Sequence, residues 1–171
     1  MTHLARILKS NNWASVDAKL TLDSPPDLLN DVCDLKGASA SYWAIDYIDR
    51  DSLSRFSAAM ATVWRDLGKQ QIGIISIDVV KGLGIEIAHS KGRDVSDVDF
   101  CDNFHRDLKI LNLKLAFKLA QKISENIIIL SATDVKAAFK LAIDQSRFTV
   151  QNLNPEFQKK LAKDGCLKIN F

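Results

Sequence analysis

The sequence predicts an α/β chain of mixed α+β content, with helices packed in layers on a central mixed sheet. Three observations carry this prediction. Apolar stripes at helical spacing alternate with short runs of isoleucine and valine. The seven glycines and three prolines fall mainly between these segments, as turn and cap residues do. The later strand-like runs are separated by helical patterns, which allows them to lie parallel. One domain spanning 1–171 is expected, since a chain of this length buries roughly 70% of its unfolded surface and sustains its own core.

Ser24-Pro25-Pro26 predicts a helix start, because proline is tolerated in the first turn, where N–H groups lack partners anyway. Leu28, Leu29, Val32 and Leu35 follow at helical spacing, and Gly37 suits a left-handed stop. Tyr42 to Ile48 alternates like a strand. From Asp51 to Leu67 a helix is expected, with Leu53, Phe56, Met60, Val63, Trp64 and Leu67 on its inward stripe. Gln71 to Val80 and Ile85 to His89, joined by Gly82-Leu83-Gly84, predict an antiparallel hairpin over about 71–89. That register puts Ile75, Ile77, Val79, Ile85 and Ile87 on one face.

Ser96-Asp97-Val98-Asp99 resembles a capping box and opens a long central helix over about 96–124. Phe104, Leu108, Leu111, Leu115 and Leu119 form one stripe, flanked by Ile110, Leu113 and Phe117. Asn126 to Leu130 reads as a strand, Thr133 to Asp144 as a helix and Phe148 to Gln151 as a strand. Asn154-Pro155 opens a helix ending near Asp164-Gly165, and Cys166 to Phe171 alternates like an edge strand.

Composition narrows the function. With 47% hydrophobic and 26% charged residues the chain is ordinary globular material. A net charge of +2, from 23 basic and 21 acidic residues, is too balanced for bulk-charge binding of nucleic acid. Cys33, Cys101 and Cys166 are scattered, without a CxxC pair, and read as reduced thiols. The start lacks a secretory apolar run, and no apolar stretch approaches the ~20 residues that span a bilayer. A cytoplasmic chain that does not enter a membrane is expected.

Several polar groupings invite chemistry. Asp78 stands inside an Ile/Val-rich run, where aspartate is normally depleted. The hairpin register sets Glu86 on the same face, and Asp107 and Asp134 are expected at the same end. Such a carboxylate group binds Mg²⁺ for phosphoryl transfer. Over about 71–164 the predicted element order resembles the ribonuclease H-like fold in topology. That resemblance implies acids on a first strand, the next helix and a later strand, the order of Asp78, Asp107 and Asp134. Thr133 stands about where the strand-end acid belongs, one step before Asp134.

Asp97, Cys101 and His105, at i, i+4 and i+8, would share a helical face and include three kinds of zinc ligand. Lys114, Lys118 and Lys122 form a similar row, suited to phosphates or an acidic partner, or else a solvated face. Trp13, among polar neighbours, is a candidate partner anchor, with a core-capping role as the plainer account. No Walker sequence, GxSxG or HExxH occurs, so no motif calls for a cofactor.

The expected function is therefore a small cytosolic, non-enzymatic protein-binding protein of inhibitor, immunity or adaptor type. It would act on a protein partner by surface complementarity. The alternative is a Mg²⁺-dependent nucleic-acid phosphodiesterase using Asp78, Glu86, Asp107 and Asp134. Homo-oligomer formation through Cys166 to Phe171 is a further expectation, because an unpaired edge strand invites pairing.

Overall fold

The computed structural model describes residues 1–11, 13, 26–33, 39–46, 50–92 and 97–166. Among them the elements are β1 (His3–Leu8), α1 (Pro26–Val32), β2 (Ser39–Ile45), α2 (Arg50–Trp64), β3 (Gln70–Ser76), α3 (Ile77–Gly82) and β4 (Glu86–His89). They continue with α4 (Val98–Phe104), β5 (His105–Lys109), α5 (Leu113–Ser124), β6 (Ile127–Leu130), α6 (Ala132–Asp144), a 3₁₀ turn (Val150–Asn152) and α7 (Pro155–Lys163). The mixed α and β content agrees with the expected class.

The six strands form one sheet in the order β4-β5-β2-β1-β3-β6. Every pairing is antiparallel, so the expected mixed sheet with parallel strands is corrected. Alternation along the strands divides the core into two faces. On one, Leu4, Leu8, Tyr42, Ile75 and Leu108 meet Leu28 and Val32 of α1 and the Ala116, Leu119, Ala120 and Ile123 side of α5. On the other, Ala5, Ile45, Ile72 and Ile74 meet Phe56, Ala59 and Met60 of α2, with Phe100 of α4. The far side of α2, through Ala58 and Ala61, packs on Val135, Phe139 and Ala142 of α6 and on Phe157 and Leu161 of α7. The result is a sheet with helices on both faces and an additional helical layer outside α2. This packing is close at Gly73: a Cβ there would lie 2.5 Å from Ile123 Cγ2, so the Ile123 side chain or the helix that carries it would have to shift.

The expected hairpin over 71–89 does not form. β3 pairs with β1 and β6, and β4 pairs with β5. Residues 77–82 turn helical because their ends carry helix signals. The Ser76 hydroxyl accepts from Asp78 N at 3.2 Å, Asp78 lies in the first turn, Lys81 in the last, and Gly84 follows at φ 74°. Asp78 was out of place in a strand because it is a first-turn helix residue. Val79, expected inward, is 38% exposed.

The expected long helix over 96–124 is likewise broken into α4, β5 and α5. His105 to Lys109 joins β2 on one side and β4 on the other. Leu108 and Ile110 are buried at strand spacing, while Leu111 and Leu113, expected on the helical stripes, are exposed. Asn112 then starts a fresh helix, its Oδ1 accepting from Leu115 N at 3.0 Å. The expected strand at 148–151 is a loop leading into the 3₁₀ turn. Gly37 and the tail 167–171, including most of the expected C-terminal strand, lie outside the described residues.

Candidate functional site

Lys9 follows directly on β1, and Trp64 is the last residue of α2. The ends of these two elements meet, with the Lys9 Nζ 4.2 Å from the centre of the Trp64 indole. The next residue, Arg65, takes φ 51°, which turns the chain out of the helix toward β3. Gln70, at the start of β3, is held to α2: Ser57 Oγ donates to its Oε1 at 2.8 Å, and its Nε2 donates to Ser57 O at 3.2 Å. This clamp fixes the spacing between the end of α2 and the sheet.

Trp64 is 45% exposed and stands as a ridge between two open clefts. One, of about 330 Å³, is lined by Ile7, Lys9, Trp64, Lys69 and Gln71 among others. The second, of about 290 Å³, is walled by Lys9, Trp43, Met60, Val63 and Trp64. Each wall holds one buried polar atom that meets no hydrogen-bond partner among the described residues, Gln71 Oε1 in the first and Trp43 Nε1 in the second. The acid beside the first cleft, Asp66, is taken by Lys160 at 2.6 Å, and this bond holds its carboxyl below the usual range. The site thus offers an exposed aromatic surface, walls of mixed polar and apolar side chains, and ammonium groups. It can hold a ligand, and the hydroxyl-to-carboxylate contact in its lining is Ser41 Oγ donating to Asp107 Oδ1 at 3.3 Å.

The four acids of the alternative reading do not come together. Asp78 is exposed in the first turn of α3. Glu86 pairs with Lys109 at 2.6 Å across the β4–β5 ladder. Asp107 accepts from Ser41 Oγ at 3.3 Å in mid-strand. Asp134 closes the capping box of α6 with Ser131, whose hydroxyl and N–H hold its carboxyl low. β5 and the β6 strand that leads to Asp134 are separated by three others, which puts them about 19 Å apart at ~4.8 Å per strand step. Among the described residues no three His, Cys, Asp or Glu side chains gather to hold a metal ion.

The Asp97, Cys101 and His105 grouping is corrected by the same finding and by the break after α4. Asp97 caps α4, accepting from Phe100 N at 2.9 Å, and is taken by Arg55 in a two-pronged pair. Cys101 is 4% exposed and packs so closely on Gly92 that a Cβ there would stand 2.2 Å from its Sγ. His105 begins β5, meets Ser90 Oγ through Nδ1 at 2.8 Å and sets its ring edge-on to Trp43.

Burial lowers the His105 pKa from its ordinary value, with the nearby Asp107 charge acting the other way. The unfolded chain therefore takes up this proton first as pH falls. Stability is full above the ordinary imidazole value and declines below it, by at most about 1.4 kcal/mol per pH unit. Urea midpoints between pH ~7.5 and ~5 should show this decline, and His105→Gln should remove it. Equal declines in both proteins would assign the effect to other groups.

Trp13 is not an exposed anchor. It is 2% exposed and donates through Nε1 to Asp31 Oδ2 at 2.8 Å, so it caps the core. Lys114, Lys118 and Lys122 do form an exposed row on α5, and Lys122 is paired with Glu125 at 2.7 Å. The exposed tryptophan is Trp64, which the helical stripe assigned to the interior. No local signal joins it to Lys9, because the two meet only through the fold.

Compared with protein-family models, with curated proteins and with solved structures, the chain finds no match in any of the three. Among the described residues no helix is long and apolar enough to cross a membrane.

Proposed function

We propose that this chain is a non-enzymatic protein-binding protein of the inhibitor, immunity or adaptor kind, acting by surface complementarity. The observation that carries the reading is Trp64, a large aromatic left 45% exposed between two open clefts. Tryptophan is enriched among residues that dominate binding energy, and such residues work best beside pockets that exclude water. The clefts would form the centre of an interface that buries roughly 1,200–2,000 Å² in all. A reducing, cytoplasmic setting belongs to the same proposal and accords with three thiols not joined to one another.

The test is isolation of the complex from the native host, followed by titration of the purified partner. A one-to-one complex is expected, weakened about 30-fold by Trp64→Ala, a loss typical of an anchor residue. Circular dichroism should show the fold unchanged. Partner binding indifferent to Trp64→Ala would overturn the assignment to this ridge. Turnover of a small substrate by the isolated monomer would overturn the non-enzymatic reading.

A further inference from the structure

Resting on the reading of Trp64 as a partner anchor, we infer that the ridge receives an acidic segment of a protein, with aliphatic side chains interspersed among its carboxylates. Charge is the first argument. The cations lining the two clefts are Arg6, Lys9 and Lys69, while the acid in the lining, Asp66, is occupied by Lys160 at 2.6 Å. Neither Lys9 nor Lys69 forms an ion pair among the described residues. A carboxylate arriving here meets ammonium groups without a competing internal acid. Lys9 is also held in position, since its backbone N–H donates to Asp31 Oδ2 at 2.8 Å and its side chain lies over the indole.

Shape is the second argument. The second cleft has one apolar side, Trp43, Met60, Val63 and Trp64, that can take an aliphatic side chain, and a polar side formed by Arg6, Ser39 and Ser41. The two unmet wall atoms are an acceptor, Gln71 Oε1, and a donor, Trp43 Nε1. A peptide group carries the complement of both, although both atoms are buried and meeting them takes side-chain movement.

Single-stranded nucleic acid is the competing occupant of a surface with tryptophan and lysine, but it fits less well. Such binding uses several aromatic platforms along a basic track. Trp64 is the one aromatic among the large apolar side chains exposed in the described residues, and Lys9 already lies over its ring. The chain's overall charge of +2 supplies no such track either.

The test uses the full chain and three probes: a labelled peptide alternating glutamate and leucine, one alternating lysine and leucine, and single-stranded oligouridine. Fluorescence anisotropy reads affinity, and acrylamide quenching, compared between the wild type and Trp64→Phe, reads protection of Trp64, since Trp13 is buried but Trp43 is only partly so. The acidic peptide should bind best, protect Trp64 and weaken with added salt. The paired substitution Lys9→Glu and Lys69→Glu should reduce its affinity at least about tenfold and shift preference toward the basic peptide.

The inference is overturned by tighter binding of oligouridine, by equal binding of both peptides, or by a doubly substituted protein that binds like the wild type. If the acidic peptide fails to bind while Trp64→Ala still releases the native partner, this inference fails alone. If Trp64→Ala releases nothing, the ridge itself is the wrong site.

Discussion

Replacing Asp31 with alanine is expected to lower the free energy of unfolding by about 4 kcal/mol. Its side chain is the meeting point of three segments. Oδ2 accepts from the backbone N–H of Lys9 at 2.8 Å, from that of Ser10 at 2.7 Å and from the Trp13 indole at 2.8 Å. The residue is 6% exposed, so water cannot freely replace it. Losing the carboxylate strands three donors, each costing roughly 1–3 kcal/mol, with partial relief as water enters. Urea unfolding of Asp31→Ala measures the sum. Asp31→Asn, which keeps a shorter acceptor capacity in the same shape, should lose about half as much. An alanine variant within ~1 kcal/mol of wild type would mean that the donors find other partners.

Arg55→Ala should destabilise the protein by about 3 kcal/mol, for the complementary reason that it abandons a buried anion. The guanidinium holds Asp97 through Nε and Nη2, both at 2.8 Å, and reaches Asp99 at 2.7 Å. It also lies over the rings of Phe100 and Phe104. The Asp97 side chain is 3% exposed while that of Arg55 is 21% exposed. The cost should therefore fall at the low end of the ~3–5 kcal/mol seen when one member of a buried pair is removed. A double-mutant cycle with Asp97→Ala separates the pair from the α4 cap that Asp97 also supplies. Additive losses would show the pair to be energetically silent.

The fold was most legible where caps and periodicity agreed. Asn154-Pro155 marks a true helix start, with the Asn154 side chain bonded to the first-turn N–H groups. The failures came where a longer apolar period hid a shorter one. Leu108 and Ile110 fit a helical stripe, yet they are alternate residues of a strand and its extension, and Asn112 was the signal that a new helix begins. Ser76 and Asp78 were the equivalent signal for α3, overruled by the β propensity of their neighbours. β1 went unread because a strand covered on both faces loses the in–out alternation that betrays one.

The candidate site was less legible, for a different reason. A carboxylate in a sequence carries no record of its company: Asp97, Asp134 and Asp31 each serve the backbone or a neighbouring side chain. Of Trp13 and Trp64, the first takes the core-capping role that was its plainer account, and only the second leaves the place its pattern assigned. The first has a buried acceptor in Asp31, while the second ends its helix beside open clefts.

The position of β1 between β2 and β3 makes it the seam of the sheet. β4, β5 and β2 lie to one side of it, β3 and β6 to the other, and no described ladder joins the two groups directly. Loss of β1 would therefore not fray an edge; it would unzip the sheet into a three-stranded and a two-stranded half. A nascent chain must likewise keep that strand in reserve until both neighbours have been synthesised.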